Sequence, residues 1–183
     1  FAKNCFVPLT VGGWIRNLND AKKLFEIGAD KIVLNTGALI DPKLIKQVAN
    51  NYGSQSIVLS IDVLEQEGKY FLYSHQGKIK SSLDPFIWAK KAEDLGVGEI
   101  LITSINRDGW LQGFDTLLCE KMKTSVNVPV LALGGCGNWK HIKDLFVKSN
   151  VDGVCTQNIY HFTETSISSA KNFLFKNGIK VRI

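Results

Sequence analysis

The chain has 183 residues, of which 45% are hydrophobic and 21% charged, and its formal net charge is +5. This is enough material for one globular domain with a sizeable core, but short of the roughly 250 residues typical of a complete (β/α)8 barrel. No apolar run approaches the roughly 20 residues of a membrane-spanning helix, and the first residues show no basic-then-apolar signal pattern. We therefore expect a cytoplasmic protein with no membrane partner.

The basic residues and the cysteines point away from nucleic acid and metal ions. The lysines are scattered over predicted helix faces, which favours a solvated surface with some bias toward anionic metabolites. The four cysteines form no C-x-x-C pair and there are only three histidines. We therefore expect free thiols in a reducing compartment, no metal site and no cofactor.

Strands and helices are predicted to alternate along the whole chain. Apolar runs that end in glycine or polar residues predict strands, and amphipathic runs with Asn or Asp-Pro starts and Gly stops predict helices. The predicted strands are 6–11, 31–34, 56–61, 99–103, 129–133 and 153–156. The predicted helices are 17–27, 41–53, 84–95, 116–123, 139–148 and 166–175, and a β-hairpin of strands 69–74 and 78–80 is inserted before the third helix.

The chain also repeats itself. An apolar strand ending in Gly12-Gly13 returns as one ending in Gly134-Gly135, and each copy is followed by a helix, an Asp, a short strand and a polar pair. A spacing of 122 positions separates Gly12 from Gly134, Asp30 from Asp152 and Thr36 from Asn158. Two such copies predict a duplicated half-barrel.

Six strand–helix units cannot close an eight-stranded barrel. The strands at 56–61 and 99–103 have no first-half counterparts, so we expect two further units, roughly 65–70 residues, before Phe1. The predicted fold is therefore α/β, a partial TIM barrel with about six of its eight units, in a single incomplete domain over residues 1–183.

Reactive groups of a βα-barrel lie where strands end and loops begin. Gly12-Gly13 and Gly134-Gly135 would expose backbone N–H groups to a ligand, and the polar pairs that follow the partner strands would add side-chain donors. Two such clusters fit a substrate with a phosphate at each end, although a glycine pair can also serve only to make a tight turn. The donor pairs are Asn35-Thr36 and Gln157-Asn158.

Two carboxylates follow strands and are candidates for chemistry. Asp62 ends an apolar strand and would act as a general acid or base, or else cap a loop. Asp108 would orient substrate, or simply form a turn before Gly109. Asp115 is expected to cap the next helix, and Ser74 and His75 on the hairpin to be surface polar residues. Lys31 and Glu99 begin their strands, at the opposite mouth, where an ion pair is usually structural.

Several segments occur together, in one order and spacing, that are typical of a known family. They are Thr10–Gly13, Ala29–Thr36, Gly53–Ser56, Ser60–Asp62, Gly98–Ser104, Arg107–Gly109 and Gly134-Gly135. On these the chain resembles the cyclase subunits of imidazole glycerol phosphate synthase, within the histidine-biosynthesis βα-barrel family. The resemblance covers essentially the whole chain.

The resemblance implies a lyase that forms a heterodimer with a glutaminase. Ammonia from that partner would pass through the barrel and attack a ribulosyl-aminoimidazole-carboxamide bisphosphate, giving imidazole glycerol phosphate and an aminoimidazole carboxamide ribotide. Asp62 matches one of two catalytic aspartates; the other would lie on the absent first strand, so we expect no turnover from these 183 residues alone. Phosphate-site matches are Gly13, Asn35, Thr36, Asp108, Gly109, Gly134, Gly135, Gln157 and Asn158. Lys31 and Glu99 match an ammonia gate, and Asp30 the glutaminase-facing mouth.

The chain departs from the family pattern at several positions. Trp14 stands where the family has a third glycine, Asn106 replaces an Asp and Trp110 a Thr. The hairpin and the Asp84-Pro85 segment look more like a paralogous branch, which supplies ammonia to sugar amidotransferases in surface-polysaccharide synthesis. That branch and a catalytically inactive interaction subunit remain alternatives, as does, more remotely, an isomerase of the same barrel superfamily.

Overall fold

The computed structural model describes residues 5–160 and 166–182, with Asn158 described only in its backbone. The strands are β1 (Thr10–Gly12), β2 (Lys31–Leu34), β3 (Ile57–Gln66), β4 (Lys69–Ser74), β5 (Ile79–Lys80), β6 (Glu99–Ser104), β7 (Val130–Leu133) and β8 (Gly153–Cys155). The helices are α1 (Leu18–Glu26), α2 (Thr36–Ile40), α3 (Lys43–Tyr52), α4 (Pro85–Leu95), α5 (Thr116–Ser125), α6 (Trp139–Ser149) and α7 (Ile167–Lys176). Short 3-10 turns cover Ser54–Ser56 and Asn158–Tyr160.

Parallel strands in the order β1-β2-β3-β6-β7-β8 form the wall of the fold. Each is joined to the next by a helical connection, as in a βα-barrel, and the antiparallel strands β4 and β5 attach to the far end of β3. The predicted α/β partial barrel is confirmed. Among the described residues, no helix is long and apolar enough to cross a membrane.

The strands alternate between two faces, and this alternation separates core from site. On β3, Ile57, Leu59 and Ile61 are fully buried in the core formed with the helices. Ser60 and Asp62 point the other way, to what we call the inner face of the sheet. Because residues paired across strands share a face, the register places Thr103 of β6 on the inner face as well.

Side-chain caps fix the helix starts that the sequence predicts. Asn17, Asp84, Asp115 and Asn138 precede α1, α4, α5 and α6, and each accepts a hydrogen bond from a backbone N–H of the first helical turn. Such a cap stabilises a helix by about 1 kcal/mol relative to Ala. The helices then bury one face each against the outer side of the sheet, with Ala21, Val48, Trp88 and Leu145 at most 1% exposed.

Two elements differ by more than two residues from their predicted bounds, and one helix was not predicted. The first strand begins at Thr10 rather than Phe6, because β1 pairs only through Thr10–Gly12 with β2 and Phe6 stays 97% exposed. The third strand continues past Asp62 to Gln66, because β4 pairs with its second half around the turn Glu67-Gly68. Both turn residues have positive φ, 52° and 76°, as a two-residue hairpin turn requires. The short helix α2 was not predicted.

The register of the internal repeat differs from the sequence alignment by one residue at the glycines. Thr10 pairs with Lys31, whereas Leu131 pairs with Gly153, so the strands β1 and β7 are related by 121 positions and β2 and β8 by 122. The turn equivalent to Gly134-Gly135 is therefore Gly13-Trp14, and all four residues have positive φ. α6 has 11 residues against 9 in α1, and the loop between the helix and the following Asp is one residue shorter after α6, so the spacing becomes 122 at Asp30 and Asp152.

Trp14 thus occupies a left-handed position that glycine fills in the second copy, with φ of 59° and 79% of its surface exposed. Its indole lies 5.0 Å from the Arg16 guanidinium carbon. Left-handed backbone costs a non-glycine residue roughly 1–2 kcal/mol, and an exposed cation–π contact returns about 0.5 kcal/mol.

We expect Trp14→Gly to raise the free energy of unfolding by up to about 1 kcal/mol, measured by urea denaturation. The control is Trp110→Gly, at a 68% exposed residue whose φ is not positive. That variant should be destabilised by about 0.5–1 kcal/mol, because glycine adds entropy to the unfolded chain. Equal destabilisation of both variants would contradict the assignment of backbone strain to Trp14.

Candidate active site

Asp62 lies on the inner face at the carboxyl end of the parallel part of β3. Its Oδ2 accepts a hydrogen bond from Asn35 Nδ2 at 3.0 Å, and its Oδ1 accepts one from Ser60 Oγ at 3.1 Å. The backbone register places Tyr73 of β4 on one side of Asp62 and Thr103 of β6 on the other. The carboxylate is therefore held by donors at a strand end, rather than serving as a loop cap.

The environment of Asp62 raises its pKa above the usual Asp value. Burial is the largest cause, and the negative charge of Asp108 adds to it. The hydrogen bonds from Asn35 and Ser60 act in the opposite direction, because they stabilise the carboxylate. A carboxyl with a raised pKa can both release and accept a proton closer to neutral pH, which is what a general acid or base requires.

Asn35 and Thr36 follow β2 and lie beside Asp62, as the sequence predicts. Thr36 Oγ1 donates to Asn35 Oδ1 at 3.3 Å and accepts from the backbone N–H of His75 at 3.0 Å. The glycine turn of this half is close by, because a Cβ on Gly37 would lie 2.2 Å from the Ile15 carbonyl oxygen. Gly13, in contrast, has open space around its α-carbon.

The second predicted cluster surrounds a cavity of about 200 Å³ at the carboxyl ends of β7 and β8. The lining residues include five predicted site residues together with apolar and thiol side chains. They are Asp108, Gly109, Leu111, Leu133, Gly134, Gly135, Cys136, Cys155, Thr156 and Gln157. Asn158 begins the turn after β8, and its side chain lies outside the described part of the structure.

The glycine pair beside this cavity is required by packing as well as by conformation. A Cβ on Gly135 would lie 2.2 Å from the Gly113 carbonyl oxygen, and the Gly113 N–H donates to the Gly135 carbonyl at 2.7 Å. A Cβ on Gly134 would lie 3.0 Å from the Ser104 carbonyl oxygen and 3.4 Å from Asp108. The pair therefore lets the loop that carries Asp108 and Gly109 approach the end of β7.

The loop that carries Asp108 is tied to the extended half of β3. Asn106 Oδ1 accepts from the Glu65 N–H at 2.7 Å, and Asn106 Nδ2 donates to the Glu65 carbonyl at 3.1 Å. The Asp108 N–H donates to the Ser104 carbonyl at 3.0 Å. These bonds fix the loop from which the negative charge of Asp108 raises the pKa of Asp62.

The cavity thiols are not activated nucleophiles. Burial raises the pKa of Cys136 and of Cys155, and the negative charge of Glu99 raises that of Cys155 further. All four cysteines are free, as predicted. Among residues 5–160 and 166–182, no group of three His, Cys, Asp or Glu side chains is placed to hold a metal ion.

The predicted ion pair lies at the opposite, amino-terminal end of the strands. Lys31 Nζ donates to Glu99 Oε1, and both side chains are partly buried, with 29% and 22% of their surface exposed. Asp30 accepts a hydrogen bond from the Leu9 N–H at 2.7 Å, and Asp152 makes the equivalent bond to Val130 at 2.8 Å. Asp30 therefore stabilises the start of a strand at this mouth.

The hairpin contributes to the site in a way that the sequence did not predict. Ser74 is buried and its Oγ lies 3.0 Å from His75 Nδ1, while the His75 backbone binds Thr36. The prediction that Ser74 and His75 are surface polar residues is therefore wrong for Ser74, which is buried, whereas His75 is exposed as predicted. Asp115 caps α5 as predicted, and it also accepts from Tyr70 at 3.2 Å. Recognising the Glu67-Gly68 turn would have placed Tyr73 beside Asp62.

An open βα-barrel with a carboxylate at the carboxyl edge of its strands belongs to the class of βα-barrel enzymes, whose reacting groups lie at that edge. The family model for "Histidine biosynthesis protein" matches residues 1–166. The chain is 43% identical over 178 residues to the imidazole glycerol phosphate synthase subunit HisF of Chlorobium limicola, covering 97% of this chain and 71% of that one. It is 44% identical over 184 residues to the subunit of the same name from Clostridium botulinum strain Okra, covering 100% of this chain and 73% of the relative. The chain belongs to the histidine biosynthesis protein family.

The raised pKa of Asp62 predicts a pH-dependent effect of Asp62→Asn on stability. The protonated carboxyl favours the folded state, so its contribution is present below the unfolded pKa of about 3.9 and is lost as pH rises through the higher folded pKa. Relative to wild type, Asp62→Asn should therefore be more stabilising at about pH 7 than at about pH 3.5. Urea denaturation at both pH values measures this difference, and an equal effect at the two would contradict it.

Proposed function

We propose that the chain is the cyclase subunit of an imidazole glycerol phosphate synthase. It would use ammonia to convert a ribulosyl-aminoimidazole-carboxamide bisphosphate into imidazole glycerol phosphate and an aminoimidazole carboxamide ribotide. The observation that carries this proposal is Asp62, a partly buried carboxyl with a raised pKa between the two strand-end clusters. The names of the curated relatives support the same activity.

Asp62 is assigned the acid–base work of ring closure. Closing an imidazole requires protons to move between nitrogen and oxygen atoms as ammonia adds and water leaves. A carboxyl that is held by Asn35 and Ser60, and kept near Asp108, is positioned to exchange such protons. The two donors keep it fixed in the direction of the inner face.

The two ends of the bisphosphate are assigned to the two halves of the repeat. Asn35, Thr36 and the Gly13 turn would hold one phosphate. Residues beside the cavity would hold the other, through backbone N–H groups in a positive-φ turn and polar side chains. They are Asp108, Gly109, Gly134, Gly135, Gln157 and Asn158. Asp62 lies between the two clusters, where the reacting atoms of a substrate held at both ends would be found.

Ammonia is assigned an entrance at the amino-terminal mouth, from a glutaminase subunit docked there. Lys31 and Glu99 face the inside of the barrel wall at that end and close on each other as an ion pair. Asp30 lies at the same mouth, exposed enough to contact a partner. The closed ion pair would exclude water from the barrel, and its opening would admit ammonia.

A second candidate function is the paralogous subunit that passes ammonia to a sugar amidotransferase, and a third is a catalytically inactive interaction subunit. The structural observation in favour of both is Trp14, which replaces a turn glycine in the half that would bind one phosphate. A large exposed indole reduces the room available to an anion at that turn. The paralogue would share the barrel and the glutaminase partner with the cyclase but not the bisphosphate substrate.

The proposal is tested by turnover of the complete gene product with ammonium chloride and the bisphosphate, following release of the carboxamide ribotide. We expect turnover, and a loss of at least about 100-fold in kcat in Asp62→Asn, since general acid–base groups contribute that much or more. The control is Asp94→Asn, at an exposed carboxylate on α4. Absence of any product from the wild-type protein would favour the paralogue.

The ammonia route is tested by comparing the two nitrogen sources. In the complex with its glutaminase, Lys31→Met should lower glutamine-dependent turnover roughly tenfold while leaving turnover with added ammonium within about twofold of wild type. Lys22→Met removes a lysine from an exposed ion pair on α1 and serves as the control. Equal losses with both nitrogen sources would assign Lys31 a structural role.

A further inference from the structure

A continuous chain of hydrogen bonds joins the hairpin turn to the carboxylate of Asp62. The His75 N–H donates to Thr36 Oγ1 at 3.0 Å, and Thr36 Oγ1 donates to Asn35 Oδ1 at 3.3 Å. Asn35 Nδ2 then donates to Asp62 Oδ2 at 3.0 Å. Asn35 links the Thr36 hydroxyl to the carboxylate in this chain, so a change at that hydroxyl reaches Asp62 through the Asn35 amide.

The direction of every bond in this chain is determined by its first member. A backbone N–H can only donate, so Thr36 Oγ1 must accept from His75 and has a single proton left to give. That proton goes to Asn35, which turns the amide oxygen of Asn35 toward Thr36 and its NH2 group toward Asp62. Without this constraint, the amide could present either end to the carboxyl group.

The hairpin supplies this donor because of where β4 lies. β2 pairs with β3 as far as Leu34 and Leu59, and β4 pairs with the same strand from Asp62 onward. The end of β4 therefore meets the end of β2 in one column of the sheet. The turn is also held from the other side, since a Cβ on Gly77 would contact the Ile105 side chain at 3.4 Å.

We infer that Thr36 is a positioning residue for Asp62, and that an anion which takes the Thr36 hydroxyl proton releases the Asn35 amide and makes Asp62 a stronger base. An oxygen of a bound phosphate can only accept, so it competes directly with Asn35 Oδ1 for that single proton. Occupation of the first cluster is then coupled to the proton affinity of the carboxyl that would do the chemistry. The identity of the physiological anion rests on the function proposed above.

Titratable groups from other elements also lie around Asp62 and its chain of hydrogen bonds. Asp108 acts on it electrostatically from the β6 loop, the register puts Tyr73 of β4 next to it, and His75 lies at the far end of the hydrogen-bond chain. Thr103 and Ser60 on the adjoining strand positions are neutral. A substitution at Thr36 changes none of these titratable or neutral side chains, and Thr36→Ser also retains the acceptor of the His75 N–H.

The first experiment is a pH titration of the Asp62 carboxyl by ¹³C NMR, with the signal assigned by Asp62→Asn. Thr36→Val removes the hydroxyl at nearly constant volume and should raise the midpoint by about 0.5–1 pH unit, the equivalent of one net hydrogen bond. Thr36→Ser retains the hydroxyl and should titrate like wild type. Thr36→Ala should titrate with the same raised midpoint as Thr36→Val. Thr124→Val on α5 is the control. Identical midpoints in wild type, Val and Ala would overturn the inference.

The second experiment adds inorganic phosphate and follows the same signal. Phosphate should raise the Asp62 midpoint more in wild type and Thr36→Ser than in Thr36→Val. The charge of a bound phosphate acts on Asp62 in all three proteins, but phosphate can release the Asn35 amide only where residue 36 carries a hydroxyl. Equal shifts in the three proteins, with saturable binding seen by ³¹P NMR, would overturn the coupling. A Thr36→Val shift in a chain that binds no phosphate would support the positioning role and contradict the phosphate site of the proposed function.

Discussion

The alternation of β3 between two faces is the constraint on which the rest of the structure depends. Ile57, Leu59 and Ile61 are fully buried under the helices, so the strand has one register in which its apolar set is covered. The same register puts Ser60 and Asp62 on the inner face, within hydrogen-bond distance of each other. A slip of one residue would bury the Asp62 carboxylate in the core and turn three aliphatic side chains toward the inner face. The hydrophobic core therefore sets the position of the acid group.

The hairpin extends this constraint beyond the usual length of a barrel strand. β3 continues to Gln66 because β4 satisfies its backbone groups where β2 has ended. The added strand raises the wall beside Asp62, and Asn106 ties the β6 loop to the same extension through Glu65. Two loops that are distant in sequence are thereby fixed relative to one carboxylate. Asp108, carried by the second loop, is close enough to influence its protonation.

Local chemistry made most elements predictable. Capping residues such as Asn17, Asp84 and Asn138 mark helix starts through bonds within four residues, so the sequence alone locates them. The strand-end positions of Asp62, Asn35 and Thr36 also follow from strand pattern. The lengthening of β3 was not predictable in this way, because it arises from pairing with β4. The link from His75 to Thr36 spans 39 positions and needs the sheet order to be known.

The alignment of the two repeat copies also depends on strand pairing, which the sequence does not reveal. Counting along the chain aligned Gly12 with Gly134, but the strand register aligns Gly13-Trp14 with Gly134-Gly135. The difference of one residue arises after the turns, because α6 is two residues longer than α1 while the loop that follows it, which starts at the left-handed Asn150, is one residue shorter. The alignment was wrong by one residue because it matched the two Gly-Gly pairs by identity, whereas the shared positive φ angles identify the equivalent turns. The two turns thus share a backbone conformation, although one of them carries an indole side chain.

That indole also gives the molecule two optically distinct reporters. Of the four tryptophans, Trp88 of α4 is fully buried and Trp139 of α6 is partly buried, whereas Trp14 and Trp110 are 79% and 68% exposed, on loops at the carboxyl edge. Buried indoles emit at shorter wavelengths than solvated ones. The short-wavelength emission therefore reports unfolding of the core, and the long-wavelength emission reports ligand binding near the exposed indoles. Arg16, stacked on Trp14, makes the long-wavelength component sensitive to anything that displaces its guanidinium. Unfolding and occupancy can be distinguished in one spectrum, without an added label.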